Sequence, residues 1–227
     1  RRAAAVGMED ALQEWMNRMK TKPEYLTFGF PKLDRRLYVE PGDFVILGGR
    51  PSAGKTALGL QIAYGMADKR RVAFYSLETN PKKLQDRLLA RVAGIPLGRM
   101  KERQLTEEDY GTVATMSSGI IRHQLKYQTA AGWSADDILA DARSHRYDVI
   151  VIDYVQLITL PPRTRDRVQG MTDVSMALHR GAQSSGITIL GLSQLSRPDK
   201  GQVNPKAPTM RDLRETGQWE QDGAPRQ

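Results

Sequence analysis

Between Asp43 and Gly191 the chain alternates short apolar runs with longer stretches in which apolar residues recur every three or four positions. The pattern predicts strands at 43 to 47, 72 to 76, 149 to 152 and 187 to 191. It predicts helices at 55 to 68, 81 to 93, near 107 to 118, at 135 to 145 and from about 168 to 184. Apolar strands separated by helical stretches make βαβ units, so the fold expected is α/β: a mainly parallel central sheet with helices on both faces. Thr106 with Asp109, and Ser134 with Asp137, have the spacing of N-caps, which gives those carboxylates a capping task rather than a metal.

Before this alternation, Met8, Leu12, Trp15, Met16 and Met19 stand at offsets of 0, 4, 7, 8 and 11, an amphipathic stripe that must bury one face. It either covers this domain's own core or docks on a neighbouring subunit. Pro23 ends the helix, and 25 to 41 is expected to be irregular apart from a short helix around Lys32 to Leu37. The expected division is therefore an extension with an amphipathic helix at 1 to 24 and one α/β domain at 25 to 227. The segments 160 to 167 and 197 to 209 are polar, basic and Pro-bearing, so they are expected to be loops.

One segment adds chemistry to this frame. Gly49-Arg50-Pro51-Ser52-Ala53-Gly54-Lys55-Thr56 fits G-x-x-x-x-G-K-[ST] between the predicted strand and helix. In such a loop the glycines let successive backbone N–H groups point at phosphate oxygens, Lys55 reaches the β and γ phosphates, and the Thr56 hydroxyl can ligate Mg²⁺. A hydrolytic site needs further groups. Asp153, at the end of the buried run Val149 to Ile152, emerges where open α/β sheets bind ligands, as a metal-positioning acid or a strand-end cap. Glu78 follows Val72 to Leu77 and emerges at the same edge, as the base for water or as the cap of the helix at Pro81. Gln194 ends a third run, where its amide bonds the γ phosphate or fixes the following loop.

Composition narrows the setting. There are no cysteines, which excludes disulfides, thiolate zinc sites and a cysteine nucleophile. No apolar run nears the ~20 residues that span a bilayer, and Arg1 to Val6 leads into Glu9 and Asp10 without a signal-peptide core, so a cytoplasmic protein without a membrane partner is expected. His123, His145 and His179 lack metal-ligand spacing. The net charge of +8, from 34 Lys and Arg against 26 Asp and Glu, suits either a soluble surface or a polyanionic partner.

Read in order, the phosphate loop, Tyr75-Ser76-Leu77-Glu78, Val151 to Leu157 with Asp153 inside it, Leu192-Ser193-Gln194-Leu195-Ser196-Arg197, Asp212 to Gly217 and Glu220-Gln221-Asp222 closely resemble the C-terminal ATPase domain of DnaB-family replicative helicases. The resemblance runs from about Leu26 to Asp222. It implies a RecA-like fold and a homo-hexameric ring around single-stranded DNA. ATP with Mg²⁺ would lie between subunits and drive 5′ to 3′ translocation, with a primase and a helicase loader as partners. On this chain Lys55 and Thr56 would hold phosphate and metal, Glu78 would be the base, Asp153 would position the metal, and Gln194 would couple the γ phosphate to the DNA loops. Those loops carry Arg163, Arg165 and Arg167, then Arg197, Lys200 and Lys206, basic and without interleaved aromatics, as suits a phosphate backbone.

The resemblance also implies an N-terminal helical domain, of which only a linker-like helix is seen. It further implies strands beyond the position of Asp222 that send an arginine finger into the neighbour's site. No residue here is assigned to that finger, and Arg226 is not given the role. Other readings of the same motifs are a different RecA-like ATPase, such as a recombinase or clock-type regulator, and a non-hydrolysing assembly module gated by ATP.

Overall fold

The structure, a computed structural model, describes residues 6 to 162, 164, and 166 to 195. Its centre is a five-stranded, wholly parallel sheet of β1 (Phe44–Gly49), β2 (Val72–Ser76), β3 (Leu125–Thr129), β4 (Val149–Asp153) and β5 (Thr188–Gln194), in the order β1-β5-β4-β2-β3. Around it run α1 (Met8–Met19), α2 (Pro31–Asp34), α3 (Lys55–Met66), α4 (Pro81–Ala93), α5 (Leu97–Glu102), α6 (Glu107–Ile121), α7 (Ala135–Ser144) and α8 (Arg167–Ser185).

The strands are apolar on both sides because both faces of the sheet are covered. Side chains alternate between faces along each strand. Thus Ala73, Tyr75, Ile150, Ile152 and Ile189 pack with Ile138 and Leu139 of α7 and Met171, Val174 and Leu178 of α8. Their neighbours Val72, Phe74, Val149, Val151, Leu190 and Leu192 pack on Leu60, Ile62, Ala63 and Met66 of α3 and on Leu84 of α4. The central strands β2 and β4 are buried along their whole length. Close packing leaves little room for a Cβ at several glycines, Gly59 and Gly191 among them. A Cβ at Gly59 would lie 2.9 Å from Leu192 Cδ1, and one at Gly191 would lie 2.8 Å from Val155 Cγ1 and 2.9 Å from Ile46 Cδ1.

The expected parallel α/β architecture is found, with two additions. The short edge strand β3 and the helix α5 carry no assignment in the sequence-based prediction. Elsewhere the ends shift: β5 begins one residue later and runs on to Gln194, and α6 continues to Ile121. Both expected capping boxes form, with the Thr106 hydroxyl accepting from Asp109 N at 3.1 Å and the Ser134 hydroxyl from Asp137 N at 3.2 Å. The N-terminal stripe does not cover this domain's core: α1 has no buried residue, and Met8, Leu12, Trp15, Met16 and Met19 are all exposed. Among the described residues no helix is long and apolar enough to cross a membrane.

Candidate active site

Three strands that are consecutive in space end side by side in β2, β4 and β5, and β1 lies beyond β5. Their C-terminal ends deliver Glu78, Asp153, Gln194 and the phosphate loop to one edge, and all four line a single cavity of about 880 Å³. The loop leaves β1 at Gly49, whose place admits no side chain because a Cβ there would lie 2.8 Å from Lys55 Cγ. Ala53 N donates to Arg50 O at 3.1 Å, closing the turn. Ser52 (φ 62°) and Gly54 (φ 87°) are left-handed, so the backbone reverses twice before α3 begins at Lys55. Pro51, Ser52, Gly54, Lys55 and Thr56 face the cavity, while Gly49, Arg50 and Ala53 form the loop behind it.

The Lys55 ammonium donates to Gly49 O at 2.9 Å and Arg50 O at 3.0 Å, which holds it over the loop. Burial pulls its pKa below the usual lysine value, and the Asp153 carboxylate opposes that shift. From the first turn of α3 the Thr56 hydroxyl donates to Asp153 Oδ2 at 2.8 Å. The Asp153 carboxyl is itself buried, which pushes its pKa above the usual carboxylate range. The Thr56 hydrogen bond opposes this, Glu78 adds to it, and Lys55 and Arg87 oppose it. A hydroxyl and a carboxylate this close, beside a second carboxylate, form the hard all-oxygen donor set that suits Mg²⁺ shared with phosphates and water.

Glu78 is exposed to the cavity. The cap of α4 belongs instead to Asn80, whose side chain accepts from Lys82 N at 2.9 Å, with Pro81 in the first turn. Gln194 is also exposed to the cavity, and its backbone N–H donates to Gln156 Oε1 at 3.1 Å. Of the predicted DNA-contacting residues, Arg167 opens α8 and donates from Nη2 to Gln156 O at 3.1 Å. Arg163, Arg165, Arg197, Lys200 and Lys206 lie outside the described residues.

Two cationic residues at this edge escape a reading by motif. Arg87 and Arg91 stand four positions apart on α4 and both line the cavity. An amphipathic pattern marks them only as polar positions, since the turn of α4 toward the phosphate loop is a tertiary fact. The signal that finds Arg87 is its charge acting on Asp153.

Comparison with known proteins agrees with this geometry. Residues 26–224 match the family model described as the DnaB-like helicase C terminal domain. The chain is 34% identical to the replicative DNA helicase DnaC of Bacillus subtilis (strain 168) over 202 residues, which cover 86% of this chain and 44% of that protein. The replicative DNA helicase DnaB of Geobacillus stearothermophilus is likewise 34% identical over 202 residues, with the same coverage of 86% and 44%. The chain thus spans less than half the length of these curated relatives. A solved DnaB-like replicative helicase, described with its interactions with primase, superposes with a TM-score of 0.86 at 29% identity over 95% of this chain and 56% of that one. A solved ATPase domain superposes equally well, with a TM-score of 0.86 at 29% identity over 96% of this chain and 81% of that one. The fold is RecA-like, and the chain belongs to the DnaB-like helicase C-terminal domain family.

Proposed function

We propose that this chain is the ATP-hydrolysing motor domain of a replicative DNA helicase, a cytoplasmic protein that moves 5′ to 3′ on single-stranded DNA as a homo-hexameric ring. The observation that carries the reading is the gathering of the phosphate loop, the Thr56–Asp153 pair, Glu78 and Gln194 around one cavity. The loop amides and Lys55 bind the phosphates of ATP, and Arg87 adds positive charge to the same cavity. Thr56 and Asp153 are the residues that would hold Mg²⁺, which would neutralise charge on the phosphate oxygens. Glu78 takes the proton of the attacking water, and Gln194 senses the γ phosphate at the point where β5 passes into the segment bearing Arg197. The exposed apolar face of α1 docks on an adjacent subunit, and the related helicase solved with its primase interactions supports a primase as a partner.

The test is ATP turnover with and without single-stranded DNA, in wild type and Glu78→Gln. Wild type should hydrolyse ATP faster with DNA. Glu78→Gln should bind nucleotide within a few-fold of wild type yet turn over about 100-fold more slowly or worse. Turnover without duplex unwinding would indicate another RecA-like ATPase. Nucleotide-dependent assembly with no turnover would indicate an assembly module.

A further inference from the structure

Strand β5 outlasts its neighbour. On the β4 side the register ends where Asp153 pairs Leu192, because β4 then leaves the sheet through Tyr154 and a 3-10 turn at Val155–Leu157. On the β1 side the pairing continues to Gly49 with Gln194. Backbone groups of alternate residues point to the same side of a parallel strand. The N–H and C=O of Gln194 therefore face the side where no strand remains.

The Gln156 side chain, buried within that turn, takes the place of the missing strand. Its Oε1 accepts from Gln194 N at 3.1 Å, and its Nε2 donates to Gln194 O at 3.0 Å and to Ser193 Oγ at 2.8 Å. One planar amide thus grips both backbone groups of a single residue. That grip fixes the orientation of the peptide planes flanking Gln194, and with it the direction from which the Gln194 side chain enters the cavity. The turn is tied down from the other side, since Arg167 Nη2 donates to Gln156 O at 3.1 Å.

We propose that Gln156 is a positioning residue for ATP turnover: it touches no substrate and acts by holding the strand end that presents Gln194. The role rests on the ATPase reading given above. It differs from a general packing role because its effect must pass through one other side chain.

The experiment is a double-mutant cycle on Gln156→Met and Gln194→Ala, read in DNA-stimulated ATP turnover, with amide exchange measured at Gln194. Gln156→Met keeps length and removes both polar ends. It should lower kcat about tenfold or more, leave KM for ATP within about twofold, and speed exchange of the Gln194 N–H. In the Gln194→Ala background the same substitution should lower kcat by less than about twofold, because the group it positions is gone. If Gln156→Met fails to fold, Gln156→Glu carries the same cycle, since it retains the acceptor and loses the donor.

Losses that multiply in the double variant would overturn the proposal, as would a change in KM with kcat intact. Wild-type turnover below detection, with nucleotide still bound, would instead sink the ATPase reading and take the role of Gln156 with it. The two failures are therefore distinguishable.

Discussion

The Thr56 hydroxyl and Asp153 Oδ2 meet at 2.8 Å across 97 positions of sequence, joining the first turn of α3 to the end of β4. Neither residue is near the other in the chain, and neither strand is the other's neighbour, because β5 lies between β1 and β4. The contact exists only in the assembled sheet, and it partly offsets the burial of the Asp153 carboxyl.

Asp153 should act against stability. Its pKa in the folded chain lies above the ordinary value of 3.8 because of burial, so the folded state holds the proton more tightly than the unfolded state does. The stabilisation from this group is therefore present at low pH and is lost as pH rises from 3.8 through the folded value. Asp153→Asn should unfold at a higher denaturant concentration than wild type at pH 7, with a smaller difference at pH 4. Its ATP turnover should fall about 100-fold or more. Urea titrations at the two pH values with a turnover assay check both outcomes, and a variant less stable than wild type at pH 7 would refute the first.

Two glycines should resist substitution for different reasons. Gly54 has φ 87° with nothing within 4 Å of an added Cβ, so Gly54→Ala costs only the left-handed backbone, about 1–2 kcal/mol. Gly191→Ala would press a methyl to 2.8 Å from Val155 Cγ1, and its cost of about 1–3 kcal/mol comes from overpacking. Chemical denaturation gives both numbers. Smaller companions at Val155 and Ile46 should rescue Gly191→Ala alone.

Arg87→Ala should weaken nucleotide binding about tenfold, the scale of one lost charge-assisted contact. Arg87→Lys should recover only part of this, because a point charge does not replace a planar fork. The same substitution removes a charge that lowers the Asp153 pKa, so that carboxyl should titrate still higher. Fluorescent-nucleotide titration measures the first effect, and carboxyl NMR the second.

Neutralising Arg163, Arg165 and Arg167 together should weaken single-stranded DNA binding and flatten its salt dependence. Loss of three phosphate contacts lowers the slope of log K against log salt by about 2. An unchanged slope would remove these residues from the DNA path.

Changing Leu12, Trp15 and Met16 to Ser should dissociate the assembly while leaving the domain folded. These side chains are exposed in their own chain, so their loss should move its thermal midpoint little. Light scattering should show a fall in mass, and an unchanged mass would mean that α1 does not join subunits.

Much of the fold was readable in advance because continuous apolar runs such as Val149 to Ile152 leave few alternatives once both faces must be covered. The edge strand β3 was not, because Leu-Lys-Tyr-Gln-Thr at 125 to 129 has one strand neighbour and stays partly solvated, so it lacks the apolar run that marks β2 and β4. Glu78, Asp153 and Gln194 are legible as residues of one sheet edge because each ends a buried strand or stands two residues beyond it. Gln156 carried no such signal. Its partners lie 37 and 38 positions away, and only the early departure of β4 from the sheet creates the gap it fills.

The place of β5 bears on how the protein is made. Translation supplies the phosphate loop and Asp153 well before Thr188 to Gln194, yet among the described residues β1 pairs only with that later segment. A nascent chain halted before residue 188 holds both halves of the Thr56–Asp153 contact and lacks the strand that fixes their spacing. The spacing of the Thr56–Asp153 pair is thus a property of the sheet once β5 lies between β1 and β4, and not of either segment alone.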